Sequence, residues 1–308
     1  MRVGVVLGGE SIERDVSLLS AQQIEAALRA CGHAVVEVEL NKSLPSALQE
    51  ASVDVVFPAV HGGIGENGTL QGRLELLKIP YVGSGVLASA LAMDKSMAKR
   101  VFSGAGLPCA RGLVVDRSLS IDAAEKAVRD ELGAAPYMVK PNAEGSALGA
   151  TRVFNQSALR AAIERALDLS TAALVEEFVT GREMTVGVLE YDDGPRALPV
   201  IEIVSKASWY DYEARYTPGL SDHICPAQIP EATTRALQIG AVGAHLALGC
   251  RDYSRTDCLL RPSGAFVILE VNTLPGMTPT SLFPDAARVA GVDFPTVVDH
   301  LVRRACAR

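Results

Sequence analysis

Apolar and polar positions change period several times along this chain, and each change marks an element. Arg2 to Leu7 carries a short apolar run of the kind a fully buried strand requires, and Gly8-Gly9 ends it. Leu19, Ile24, Ala27, Leu28 and Cys31 then recur at helical spacing, with Gly32 placed as the C-terminal cap. Ala34 to Leu40 and Val53 to Ala59 read as the next strands, Leu70 to Leu77 as a helix and Pro80 to Val82 as a short strand. Strand–helix–strand alternation implies parallel pairing with right-handed crossovers, so residues 1–92 read as an α/β unit.

The pattern then shifts. A helix from about Met93 to Ser103 leads into strands at Gly112 to Val115, Tyr137 to Lys140 and Thr151 to Phe154. These alternate with polar-faced helices near Ala123–Leu132 and Ser157–Leu167, giving an α+β unit with antiparallel strands over 93–172. The third unit, 173–308, brings longer strands, a polar aromatic loop from Ser205 to Tyr216, a long helix at about Ala232 to Leu248 and two strands flanking Pro262-Ser263-Gly264.

Composition narrows the class. Nearly half of the 308 residues are apolar and the net charge of -7 is dispersed, which suits a soluble globular protein. No basic block suggests nucleic acid or an anionic membrane surface. The opening apolar run is too short for a signal peptide, and no stretch reaches membrane-spanning length. Six scattered cysteines without a CxxC pair read as reduced packing thiols of a cytoplasmic protein.

The strongest local chemistry lies at Arg255-Thr256-Asp257 and Glu270-Val271-Asn272. Alternation puts Arg255 and Asp257 on one face of a strand, and Glu270 and Asn272 on one face of its neighbour. Two carboxylates and an amide make a hard-oxygen site suited to Mg²⁺ held with phosphates. Arg255 can neutralise charge on a transferring phosphoryl group or an oxyanion. The alternative is a cross-strand ion pair on a solvated face, which the apolar flanks disfavour.

Other candidates depend on that site for their meaning. Gly276 lets a backbone N–H approach a ligand, and Ser281 stands at a helix start, where a cap and a carboxylate contact can coexist. Lys140 precedes the glycine-containing loop Pro141 to Gly149, which can wrap a triphosphate or form an ordinary hairpin; it is no Walker A loop. Lys95 is a helix lysine, a type usually solvated. Glu176 and Glu183 flank a turn and can accept from adenine or ribose, with surface charge as the default. Glu13 and His61 sit at carboxyl ends of parallel strands, where open α/β sheets bind ligands. The first loop lacks GxGxxG, which disfavours a dinucleotide fold.

In order, the loops resemble one family over about Val3 to Val302: the D-alanine–D-alanine ligases of the ATP-grasp superfamily. The likeness rests on Gly8-Gly9 with Ser11 to Ser17, His61-Gly62 with Gly65 to Gly72, Tyr81 to Gly85 and Met93-Asp94-Lys95. It continues in Val139 to Pro141, Glu144-Gly145-Ser146, Tyr210 to Tyr216, Arg255 to Asp257 and Glu270 to Thr278. The resemblance implies a three-domain ATP-grasp fold mixing α/β and α+β parts. It implies ATP-dependent synthesis of D-alanyl-D-alanine for peptidoglycan precursors, through an acylphosphate of the first D-alanine. It implies a cytoplasmic homodimer with two Mg²⁺, for which Mn²⁺ can substitute.

Carried over residue by residue, the resemblance makes Asp257, Glu270 and Asn272 metal ligands. Lys95, Lys140 and Arg215 would hold phosphates, and Glu176 and Glu183 would meet adenosine. Glu13 would anchor the first ammonium with His61 beside it. Arg255 and the Gly276 N–H would face the oxyanion, and Ser281 with the Leu282 N–H would take the second carboxylate. Ser146 and Tyr216 would bond to each other and to Glu13, closing the Ser205–Cys225 loop as a lid against water. Two departures from the family pattern stand out: Arg215 replaces the usual lysine, and Ala147 a serine. Tyr216 favours an amine as second substrate, because relatives making the D-lactate ester usually lack it. The competing readings are an ATP-grasp ligase joining another D-amino acid or amine in specialised metabolism, and a nucleotide-binding regulator without turnover.

Overall fold

The computed structural model describes residues 1–206 and 220–308, so Arg215 and Tyr216 lie outside the described residues. Strand β1 (Arg2–Leu7) leads to α1 (Arg14–Ala30), β2 (Ala34–Glu39), α2 (Leu44–Ala51) and β3 (Val55–Pro58). The three strands form a parallel sheet in the order β2-β1-β3. Val3, Val5 and Val6 are wholly buried in its middle strand, which explains the unbroken apolar run. Next come α3 (Thr69–Leu77), α4 (Val86–Met93) and α5 (Lys95–Gly104). The strand expected at Pro80 to Val82 is reduced to a single parallel bridge between Tyr81 and Val56.

The second sheet is antiparallel, in the order β4-β7-β5-β6, built from β4 (Gly112–Asp116), β5 (Tyr137–Pro141), β6 (Thr151–Val153) and β7 (Ala172–Glu177). Helices α6 (Ile121–Leu132) and α7 (Leu159–Leu169) bury Val128, Ile163 and Ala166 in its core. Because β7 pairs with β4 and β5, this unit runs to Glu177, and the expected boundary at 172/173 falls at the edge of a strand that belongs to it.

The third sheet contains β8 (Arg182–Tyr191), β9 (Gly194–Ala197), β10 (Ile201–Ser205), β11 (Ser221–Ile224), β12 (Tyr253–Leu260) and β13 (Phe266–Asn272), with α8 (Glu231–Leu248) packed on it. Its order is β11-β10-β8-β12-β13, with β9 on β8. The chain then forms α9 (Leu282–Val289) and α10 (Phe294–Cys306).

Packing crosses the sequence boundaries. Ala88, Ala92, Ala98 and Phe102 of α4 and α5 are buried with α8 and the third sheet rather than with the second. Val297, Val298, Leu301 and Val302 of α10 complete the core of the first sheet beside Ile24 and Leu28 of α1. Among the described residues no helix is long and apolar enough to cross a membrane.

Candidate active site

Two cavities meet where the three sheets converge, and Lys95, Glu144 and Glu270 line both. The smaller, about 130 Å³, is walled by strands of the second and third sheets and includes Lys140, Glu176, Glu183 and Asp257. The larger, about 620 Å³, gathers Glu13, His61, Ser146, Arg255, Asn272, Gly276, Ser281 and Leu282. Every expected site residue within the described chain therefore lines one cavity or the other.

Antiparallel pairing of β12 and β13 sets Arg255 opposite Asn272 and Asp257 opposite Glu270, with a bulge directly after Asp257. A bulge re-aims side chains where a ladder must serve chemistry. Asp257 Oδ1 accepts from Arg255 Nε at 2.8 Å and from Thr185 Oγ1 at 2.6 Å, while Arg255 Nη2 donates to Oδ2 at 2.8 Å. Thr185 lies opposite Asp257 on β8 and fixes its orientation. Lys95 Nζ stands 3.4 Å from Glu270, and the Asn272 side chain accepts from the Leu274 N–H at 2.9 Å. Hard oxygens from adjacent strands, without sulfur or imidazole, fit Mg²⁺ or Mn²⁺. Among the described residues no group of three or more His, Cys, Asp or Glu is arranged to hold a metal; the donor set here has two carboxylates and an amide.

Lys95 opens α5, whose N-cap is Asp94. Asp94 accepts from the Met97 N–H at 2.9 Å and from Asn142 Nδ2 at 2.8 Å, so one carboxylate starts the helix and holds the turn after β5. Such a cap stabilises by about 1 kcal/mol. Lys95 Nζ donates to the Glu144 carbonyl at 2.5 Å, closing that turn from above. The Glu144 carboxyl is raised by burial, against the pull of Lys95, with Glu13 adding repulsion.

Glu176 is almost fully buried, and both its oxygens are taken: Lys140 reaches Oε2 at 2.5 Å and Lys99 is paired to Oε1. Burial alone would raise this carboxyl, but the two lysines outweigh it and hold it below the usual carboxylate range. Lys99 is a residue that sequence reasoning missed. Its spacing of four from Lys95 puts both on one face of α5, a signal readable in advance. Lys140 thus lines the small cavity while bonded to Glu176.

In the larger cavity Glu13 occupies the N-cap position of α1 without capping it. Its carboxylate instead accepts from Ser146 Oγ at 2.5 Å, across 133 residues of sequence. Ser146 and Ala147 both have left-handed backbone, φ 50° and 55°, at a cost of about 1–2 kcal/mol each for such residues. Gly62, φ 70°, leaves room for this group: a Cβ there would lie 2.8 Å from Glu13 Oε2 and 2.6 Å from Ser11 Oγ. His61 Nε2 is 3.1 Å from Ser20 Oγ, which in turn accepts from the Met277 N–H at 3.4 Å. Glu66, 3.7 Å from His61 Nδ1, also receives the Gly62 N–H at 2.7 Å. Ser281 sits at the N-cap position of α9, but its Oγ turns back to the Thr278 N–H at 2.9 Å rather than into the helix. Thus the loop from Gly276 is braced across its own neck.

Comparison with known proteins identifies the family. Residues 41–84 match the family model described as D-ala D-ala ligase N-terminus, and residues 101–303 the D-ala D-ala ligase C-terminus. The chain is 46% identical to the D-alanine–D-alanine ligase of Desulforudis audaxviator, covering 100% of this chain and 99% of that one. It is 43% identical to the enzyme of that name from Pelotomaculum thermopropionicum, over 99% and 96%. Among solved structures, the VanG D-Ala:D-Ser ligase from Enterococcus faecalis superposes with a TM-score of 0.86 at 32% identity, over 99% of both chains. The D-alanine–D-alanine ligase from Bacillus anthracis complexed with ATP gives 0.84 at 28%, over 100% of this chain and 98% of that one. Matched by both family models and by relatives over its whole length, the chain belongs to the D-alanine–D-alanine ligase family.

Proposed function

We propose that the chain joins two D-alanines to D-alanyl-D-alanine for peptidoglycan precursors, using ATP, with the nucleotide in the small cavity and the amino acids in the large one. The observation that carries this division is the shared wall of Lys95, Glu144 and Glu270, which brings a phosphate end and a carboxylate end together. Lys95 and Lys140 bind phosphates; Glu176 and Glu183 meet adenosine. Glu13, held by Ser146, takes the ammonium of the first D-alanine, and His61 orients beside it. The first carboxylate attacks the γ-phosphorus and ADP leaves. The second D-alanine, as its free amine, then attacks the acyl carbon; the nitrogen's proton passes to the departing phosphate or to solvent as phosphate leaves the tetrahedral centre. Arg255 and the Gly276 N–H stabilise the oxyanion, while Ser281 and the Leu282 N–H hold the second carboxylate. No side-chain nucleophile is needed, because positioning and charge stabilisation carry phosphoryl transfer.

Asp257, Glu270 and Asn272 would hold two Mg²⁺. When bound, these ions neutralise charge on the β- and γ-phosphate oxygens. Ser146 and Tyr216 together tie the Ser205–Cys225 lid to Glu13. The six free thiols support a cytoplasmic setting, and a homodimer is the expected assembly, measurable by light scattering. The three sheets correspond to three domains.

Purified protein with ATP, Mg²⁺ and D-alanine is expected to yield the dipeptide and one ADP per bond, read by mass spectrometry. Absence of both products overturns the reading. A second reading, ligation to another D-amino acid or amine, draws on the likeness to a D-Ala:D-Ser ligase structure. A panel of second substrates separates the two: D-alanine as best acceptor rejects it.

A further inference from the structure

Glu176 is clamped in one place from three sides. Gly112 lies opposite it on β4, and a Cβ there would sit 2.9 Å from Glu176 Cγ and 2.8 Å from the Val175 carbonyl. Lys140, from β5, meets its Oε2, and Lys99, from α5, its Oε1. The Cys109 thiol, from the segment between α5 and β4, lies near all three groups; burial pushes it up, so it stays uncharged. Glu177 alternates to the opposite face, where Arg111 and Arg261 engage it.

The two lysines are not equivalent. Lys140 and Glu176 line the small cavity, whereas Lys99 reaches the carboxylate from outside its wall. A nucleotide entering the cavity can draw Lys140 away, but not Lys99. We propose that Lys99 is a positioning residue for purine choice: it keeps Glu176 ionised and aimed into the cavity, so a 6-aminopurine is accepted and a 6-oxopurine refused. This rests on the reading of Glu176 as an adenosine contact.

The chemistry follows from donor and acceptor inventories. An ionised carboxylate has only lone pairs, so it accepts from the adenine amino group and repels a 6-oxo oxygen. Without Lys99, a buried Glu176 has one cation left. Once the nucleotide draws Lys140 away, Glu176 takes up a proton and can then donate to a 6-oxo group, which weakens ATP and admits the wrong base.

The test measures D-alanine-dependent release of ADP or IDP from ATP or ITP, for wild type, Lys99→Gln, Lys99→Arg and Glu176→Gln. Lys99→Gln is expected to raise KM for ATP about tenfold to a hundredfold, as loss of a charge-assisted bond does, with kcat at saturating nucleotide and KM for D-alanine unchanged. The ATP:ITP ratio of kcat/KM should fall by about tenfold, and further as the pH is lowered, because a Glu176 with one cation fewer protonates more readily. Lys99→Arg should restore the ratio. If Lys99→Gln keeps the wild-type ratio while Glu176→Gln loses it, the role of Lys99 is overturned. If Glu176→Gln keeps the ratio too, the adenosine reading itself falls. Loss of D-alanine and nucleotide affinity together would show a merely structural role and overturn it as well. Lys99→Met, of similar length, replaces the glutamine variant should that chain fail to fold.

Discussion

The two cavities share a wall but are held by different means. Strands β5, β7, β8, β12 and β13 supply most of the nucleotide side, so ladder hydrogen bonds fix its side chains before any ligand arrives. Loops at strand ends supply much of the amino-acid side, joined by a few bonds such as Ser146 to Glu13 and Met277 N–H to Ser20. Sheets give the phosphate end rigidity; loops give the substrate end a shape that depends on three separate units meeting. Losses on the first side should be local and chemical, whereas losses on the second should spread through substrate affinity.

Variants can test that contrast, beginning with the oxyanion side of the larger cavity. Arg255→Ala is expected to lower kcat about 10²–10³-fold, the usual effect of deleting an oxyanion donor, while both KM values change little. Steady-state ADP release measures it; a loss confined to KM for D-alanine would move Arg255 from chemistry to binding. Two glycines then separate the sides. Gly62→Ala crowds Glu13 and Ser11 at a positive φ and should raise KM for D-alanine, while Gly112→Ala crowds Glu176 and should raise KM for ATP. Strain of about 1–3 kcal/mol corresponds to roughly fivefold to a hundredfold for each. Crossed effects would erase the contrast.

Smaller still, Ser146→Ala removes one inter-unit bond and should raise KM for D-alanine about fivefold to tenfold, with ATP binding retained by calorimetry. The smallest effect concerns neither cavity. His245 is buried beside Glu190 and Ser254, and burial lowers its pKa from 6.5 despite Glu190. The unfolded chain therefore binds this proton more readily, and stability falls as pH drops below that value through the folded one. Glu190 is pushed up by burial but held lower overall by the Asp252 N–H, Arg304 and His245, so its contribution is lost only below about pH 4.5. Thermal melts across this range should show a two-stage acid loss, the first stage beginning below about pH 6.5; a flat profile down to the second stage would refute the His245 assignment.

Much of this was legible in the residues because it is local. The apolar run of β1, the register that faces Asp257 with Glu270, and the helix starting after Ser281 all follow from period and turn chemistry. What was not legible depends on distant partners. Nothing near Ala172 indicates that β7 pairs with β4 and β5, because that choice is made by side chains some 30–60 residues earlier. The spacing of Lys99 from Lys95 shows the face of α5 it shares, but nothing local shows that Glu176 is brought to it across 77 residues. Thr185 looks like an ordinary strand threonine until β8 aligns it with Asp257. The eight-residue α2 is too short to show a period, and α4 shows none because every position but Ser89 is apolar. The roles carried over from the family were placed by order of motifs, and the structure adds which of them already engage one another.

The position of α10 has a consequence for how the molecule is made. Its Val298 and Leu301 share a core with Ile24 and Leu28, residues synthesised nearly three hundred codons earlier. During translation the first sheet therefore emerges with one apolar flank uncovered, and it stays so until residues 294–306 clear the ribosome. Glu13 and His61 hang from that sheet. The strands β12 and β13 that wall the nucleotide half emerge before that helix, so the amino-acid half is the later of the two to be completed.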